Sequence, residues 1–203
     1  MVIDCQGLWV GWTGLDDFNP GMEKIPESEP DDRAPTAGLL SKQAVPVAVE
    51  RSLFDRYYNG CCNETFWPLF HSMPDRAIFH SETWASYAKV NELFAIQTLD
   101  AIRLVYKRRE DEGQEHLPPP IVWLHDYHLM LAANTIRCIC DEEGLEIRMG
   151  FFLHIPFPSF DIIRIFPWVD EILMGMLGNI FRLWEIELNF MIQNFIISIM
   201  DIT

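Results

Sequence analysis

Two short strings concentrate the side chains able to hold polar ligands or move protons: His125-Asp126-Tyr127-His128 and His154-Ile155-Pro156-Phe157-Pro158-Ser159. The Asp126 carboxylate can accept hydrogen bonds from the hydroxyls of a bound sugar, or it can cap a helix by accepting backbone N–H groups; the sequence allows either. His125 and His128 form an H-x-x-H pair that could offer two imidazoles to a metal. No third ligand lies nearby in sequence, satisfied local hydrogen bonds account for the pair more simply, and no metal is expected. His154 follows the apolar run Gly150-Phe151-Phe152-Leu153, so its imidazole should emerge from a buried strand, able to donate to a substrate oxygen. As a lone histidine it could equally be structural. Tyr57, Tyr58, Trp67, Trp84 and Trp123 suit a core, yet aromatic faces also stack on sugar rings, and spacing does not separate those uses.

Several other chemistries are excluded by what the chain lacks. It contains no G-x-G-x-x-G, no G-x-x-x-x-G-K-[ST], no nucleophile elbow and no Cys-x-x-Cys, which removes dinucleotide, P-loop, serine-hydrolase and common zinc readings. No cofactor is expected.

The elements that must position these groups follow a strand–helix–strand pattern. Ile121-Val122-Trp123-Leu124 is a short apolar run, Leu129 to Glu143 is helical in composition and stopped by Gly144, and Ile147 to Leu153 is apolar again. Such a unit implies parallel pairing in an open, mostly parallel, Rossmann-like α/β sheet, with ligands bound beyond the carboxyl ends of the strands. Both polar strings sit at those ends. Upstream, Gly7 to Gly14 suits a short strand, and Val45-Pro46-Val47-Ala48-Val49 suits another, at an edge because of Pro46. Ser52 to Tyr58 predicts a short helix, with Asn59-Gly60 as a turn after it. Trp84, Tyr87, Phe94, Leu99, Ile102 and Val105 recur at three- and four-residue spacing, the stripe of a long amphipathic helix. Residues 16–35 read as a polar loop and 107–120 as a charged, Pro-rich connection.

The chain has 203 residues, 49% hydrophobic and 22% charged, about one domain's worth of globular sequence. A net charge of −15 argues against long-range attraction to nucleic acid or an anionic bilayer. The longest uncharged apolar stretch, Leu188 to Met200, is shorter than the roughly 20 residues of a membrane span, so no span is expected. Five cysteines, two of them adjacent, and no signal-like opening fit a cytoplasmic setting with reduced thiols; Asn63-Glu64-Thr65 is then a chance sequon.

Five ordered strings carry a resemblance: Trp9-Val10-Gly11-Trp12-Thr13-Gly14, Tyr57-Tyr58-Asn59-Gly60, Trp67-Pro68-Leu69-Phe70-His71, Val122 to Leu129, and Gly150 to Ser159. In this order they closely resemble the trehalose-6-phosphate synthases, and the Cys61-Cys62 pair with His71 to Arg76 looks like the invertebrate branch. The resemblance implies a retaining GT-B glycosyltransferase of two lobes, joining the glucosyl group of UDP-glucose to glucose 6-phosphate to give trehalose 6-phosphate and UDP. It implies no metal. By motif position, Tyr58, Trp67 and Asp126 correspond to residues that hold glucose 6-phosphate, and His154 to one contacting the donor glucose; Asp126 and His154 are the candidate catalytic residues.

On this resemblance residues 1–178 form part of the acceptor-binding, N-terminal lobe, and residues 179–203 are a divergent tail expected to pack poorly or form an orphan helix. The family's opening Ser-Asn-Arg strand, its glycine-rich loop and its basic donor lobe have no counterpart in the sequence. The isolated chain is therefore expected to be inactive. The alternative expectation is a non-catalytic chain that associates with full-length synthase or another partner. A homo-oligomer is compatible with the sequence, which does not fix stoichiometry.

Overall fold

The structure is a computed structural model that describes residues 7–12, 43–180 and 197–200. The loop expected at residues 16–35 lies outside the described residues. Five strands form one sheet, in the order β2-β1-β5-β3-β4. They are β1 (Leu8–Gly11), β2 (Ala44–Pro46), β3 (Ile121–His125), β4 (Arg148–Phe152) and β5 (Ile197–Met200). β1 pairs with β2, and β3 with β4, in parallel. β5 lies between β1 and β3 and is antiparallel to both, so the other four strands all run in one direction.

The mostly parallel α/β sheet follows from the apolar runs read in the sequence. Pro46, which has no N–H to give a ladder, is in the edge strand β2. Of the stretch expected to be a poorly packed tail or an orphan helix, residues 197–200 form β5, and residues 181–196 and 201–203 lie outside the described residues. Ile197-Ser198-Ile199-Met200 places β-branched residues at alternate positions, and its backbone fills the central place in the sheet.

Upstream of β3, α1 (Arg51–Phe54) runs straight into a π-helix at Asp55–Phe66 and then into α2 (Trp67–Phe70). The turn expected at Asn59-Gly60 does not form. Gly60 serves instead for close approach, since a Cβ there would lie 2.6 Å from Thr83 Cγ2 on the neighbouring helix. That neighbour is α3 (Ser81–Asp111), the long amphipathic helix expected from its stripe, and it packs on the π-helix, on β1 and on α4 (Ala132–Glu143). Phe94, Leu99 and Ile102 of α3 are buried, each worth about 1.5–3 kcal/mol of apolar transfer. α4 ends at Gly144 in the left-handed region, φ 70°, where the sequence placed its stop. Beyond β4 come α5 (Phe160–Ile163) and α6 (Val169–Ile180), which packs on α4. No helix among the described residues is long and apolar enough to cross a membrane.

Candidate functional site

β3 and β4 deliver the two polar strings side by side. Their parallel register places His125 opposite Phe152. The chain then turns at Asp126, whose N–H donates to Phe152 O at 2.7 Å, so the ladder extends one residue past the strand. From there the Asp126 carboxylate reaches the next strand's exit: Oδ1 accepts the His154 backbone N–H at 3.4 Å. The two residues read from the sequence thus lie at neighbouring strand ends, joined through the Asp126 carboxylate and the His154 backbone N–H.

Asp126 adopts φ 66°, ψ 169°, a backbone region almost reserved for glycine. Its side chain makes no capping hydrogen bond to the 3-10 turn at Tyr127–Leu129. It faces His128 instead, with Oδ2 3.5 Å from Nδ1. Burial alone would raise the Asp126 carboxyl, but His128, then the Tyr127 backbone N–H and the nearby His154 ring, hold it below its ordinary value. Burial also pulls the His128 imidazole below its ordinary value against the pull of Asp126, so His128 acts as a neutral donor. His125 turns the other way and pairs with His154, its Nδ1 3.3 Å from His154 Nε2. The two imidazoles of the H-x-x-H pair therefore serve different partners. Among the described residues no cluster of three or more His, Cys, Asp or Glu is arranged to hold a metal ion.

Tyr58 joins this group through aromatic contacts. Trp12, Phe54, Tyr58, His128 and Tyr127 form a file of rings with successive centroids 3.9, 5.3, 5.9 and 4.1 Å apart, each tilted 18–25° from the next. The file runs from the carboxyl end of β1 to the turn after β3, and Tyr58 approaches Asp126 through the intervening His128 ring. Trp67 is placed differently. It opens α2, is 44% exposed and stacks on His71 at 4.0 Å. Its helix reaches the site through Phe70, which contacts both Tyr127 and Phe157.

The support beneath the site comes from Asn91, which the sequence reading passed over, and from Tyr87 and Tyr57, which it placed in the core. Asn91 on α3 donates from Nδ2 to Tyr87 O and His128 O, both at 3.0 Å, and accepts at Oδ1 from Leu131 and Ala132 N–H at 3.0 and 3.1 Å. All four of its hydrogen-bonding positions are used. One turn earlier, the Tyr87 hydroxyl donates to Tyr127 O at 2.7 Å and accepts from Met130 N–H at 3.1 Å. Tyr57 adds a bond to His128 O at 3.2 Å. The signal for Asn91 was present: a polar residue one turn after Tyr87 on an otherwise apolar stripe.

Residues 1–202 match the sequence profile of glycosyltransferase family 20. Over 172 residues the chain is 37% identical to alpha,alpha-trehalose-phosphate synthase [UDP-forming] 1 of Aspergillus niger, covering 83% of this chain and 28% of that one. A solved UDP-forming synthase from Burkholderia xenovorans in complex with glucose-6-phosphate superposes with a TM-score of 0.58 at 27% identity, covering 84% of this chain and 32% of that one. An E. coli structure bound with UDP-2-fluoro glucose gives a TM-score of 0.57 at 28% identity, over 83% of this chain and 30% of that one. The chain spans less than a third of the length of the curated relatives it matches. With the profile covering nearly every residue and two of its motifs meeting at adjacent strand ends, the chain belongs to glycosyltransferase family 20.

Proposed function

We propose that this chain is the acceptor-binding part of a cytoplasmic, two-lobed GT-B enzyme. The reaction joins the glucosyl group of UDP-glucose to glucose 6-phosphate, giving trehalose 6-phosphate and UDP with retention at the anomeric carbon. The observation that carries this reading is the contact between Asp126 and His154 at the ends of two neighbouring parallel strands, where open α/β sheets bind ligands.

Each group has a role suited to its state. Asp126, held ionised, accepts hydrogen bonds from acceptor hydroxyls and fixes the attacking one. His154, half-buried beside it, contacts the donor sugar. Tyr58 orients the acceptor through its hydroxyl, its ring held between Phe54 and His128. Trp67, partly exposed and stacked on His71, offers its other indole face to a sugar ring. In the reaction the anomeric carbon breaks its bond to the UDP oxygen and forms one to the acceptor oxygen on the same face, while the acceptor hydroxyl's proton passes to the departing phosphate oxygen. Positioning and stabilisation of the departing charge then do most of the catalysis. The four described free cysteines, with Cys61 and Cys62 buried, suit a reducing compartment.

Titration of glucose 6-phosphate into the chain, followed by backbone amide NMR, tests the acceptor site. The expected result is a saturable shift at Tyr58, Asp126 and His154 that disappears in Asp126→Ala. Unchanged spectra in the wild type, or equal affinity in the variant, would overturn the assignment.

A further inference from the structure

His125 has no part in the reading so far, yet it makes the one side-chain hydrogen bond to the His154 ring among the described residues. Its Nδ1 lies 3.3 Å from His154 Nε2, the ring centroids are 5.5 Å apart, and the planes differ by 20°. Because each nitrogen lies so near its own ring centre, 5.5 Å is close to the greatest centroid separation that a 3.3 Å nitrogen contact permits. The two rings therefore meet edge to edge, with both nitrogens on the line between the centres, which is the geometry of an in-plane N–H···N bond and not of a face-to-face stack. Phe152 closes one side of His154, its ring at 4.7 Å and 76°, and Asp126 holds the His154 backbone.

We infer that His125 is a positioning residue for His154: its Nδ1 accepts the His154 Nε2–H, which holds His154 in one tautomer and leaves Nδ1 as an acceptor for a substrate hydroxyl. One nitrogen of the pair must carry the proton and the other a lone pair. With His154 as donor, both rings carry their remaining N–H at Nε2, the tautomer that free histidine side chains prefer. With His125 as donor, both rings would be forced into the less favoured form. The surroundings of His125 keep its ring neutral. Burial first, then the His154 ring, pull His125 down to about 4, with Asp126 as the opposing charge; His128 is directed at Asp126. The tautomer assignment stands on this geometry, and only the identity of the bound hydroxyl rests on the proposed function.

The test is two-bond proton–nitrogen NMR of the imidazole rings in the isotope-labelled full chain near neutral pH. The expected wild-type spectrum shows His154 protonated at Nε2 and bare at Nδ1. His125→Asn, which keeps an acceptor where Nδ1 stood, should retain that pattern, whereas His125→Leu should give a mixture of tautomers. A wild-type His154 protonated at Nδ1, or averaged between forms, overturns the inference even if His125→Leu does not fold. An unchanged pattern in a folded His125→Leu overturns it as well. Added UDP-glucose is a separate arm: a shift at His154 Nδ1 supports the functional reading, and its absence counts against that reading while leaving the tautomer result in place.

Discussion

A carboxylate-bearing residue at φ 66°, ψ 169° keeps a backbone conformation that costs on the order of 1–3 kcal/mol for anything but glycine. Asp126 is held there by its N–H bond to Phe152 O and by the turn that α3 secures from beneath. Two variants separate the strain from the chemistry. Asp126→Ala loses the carboxylate and keeps the strain, while Asp126→Gly loses both. Urea denaturation should find the glycine variant more stable than the alanine variant by about 1 kcal/mol, with both failing to bind glucose 6-phosphate. Equal stabilities would mean that the turn is not strained in solution. A second expectation concerns acid. His125 and His128 have folded values below the ordinary 6.5, so their contribution to stability is complete above that value and is lost as the pH falls through the folded values, about 4 for His125. Unfolding free energy should therefore decline from neutral pH toward pH 4. His125→Asn should remove on the order of 2 kcal/mol of that decline after allowance for partial solvent exposure. An identical acid limb in the variant would contradict the burial of a neutral imidazole at this position.

Among the elements, the π-helix at Asp55–Phe66 was the least legible in the sequence. Asn59-Gly60 has the composition of a turn, and local chemistry supports that reading. The deciding fact is nonlocal: α3 comes so close that no side chain fits at position 60, and Thr83 occupies the space. Gly60→Ala should then destabilise the chain by about 1–3 kcal/mol through overpacking. Thr83→Ser, which removes Cγ2 and keeps the hydroxyl bond to His80 O, should recover most of the loss in the double variant. Additive effects in a denaturation cycle would place the two residues out of contact. The βαβ unit was legible for the opposite reason. Its strands are short apolar runs, its helix carries its own stop signal at Gly144, and its polar strings follow at once, so local pattern and final position agree. The site's aromatic and acidic groups could be named from those strings. Their support by Asn91 and Tyr87 depends on residues some 40 positions away in sequence, which periodicity does not register.

Across the whole molecule, the sheet divides into two parallel pairs, β2-β1 and β3-β4, and among the described residues β5 is the strand that joins them. The parallel pairing of β3 with β4 could be read from the βαβ pattern, but the place of Ile197–Met200 could not, because nothing local tells a strand which partners it will find. Ser198 stands opposite Trp9 on one side and Trp123 on the other. Proline at this position removes a backbone donor from the middle of the sheet and should cost about 3 kcal/mol or more. The loss should be unequal. β3 keeps its full parallel pairing with β4, whereas β1 is left with only the three-residue edge strand β2. Amide exchange in Ser198→Pro should therefore accelerate most at Leu8–Gly11 and less at Ile121–His125, with β4 least affected. Uniform acceleration would indicate global destabilisation without a local role for the strand, and unchanged protection at Leu8–Gly11 would remove β5 from the centre of the sheet.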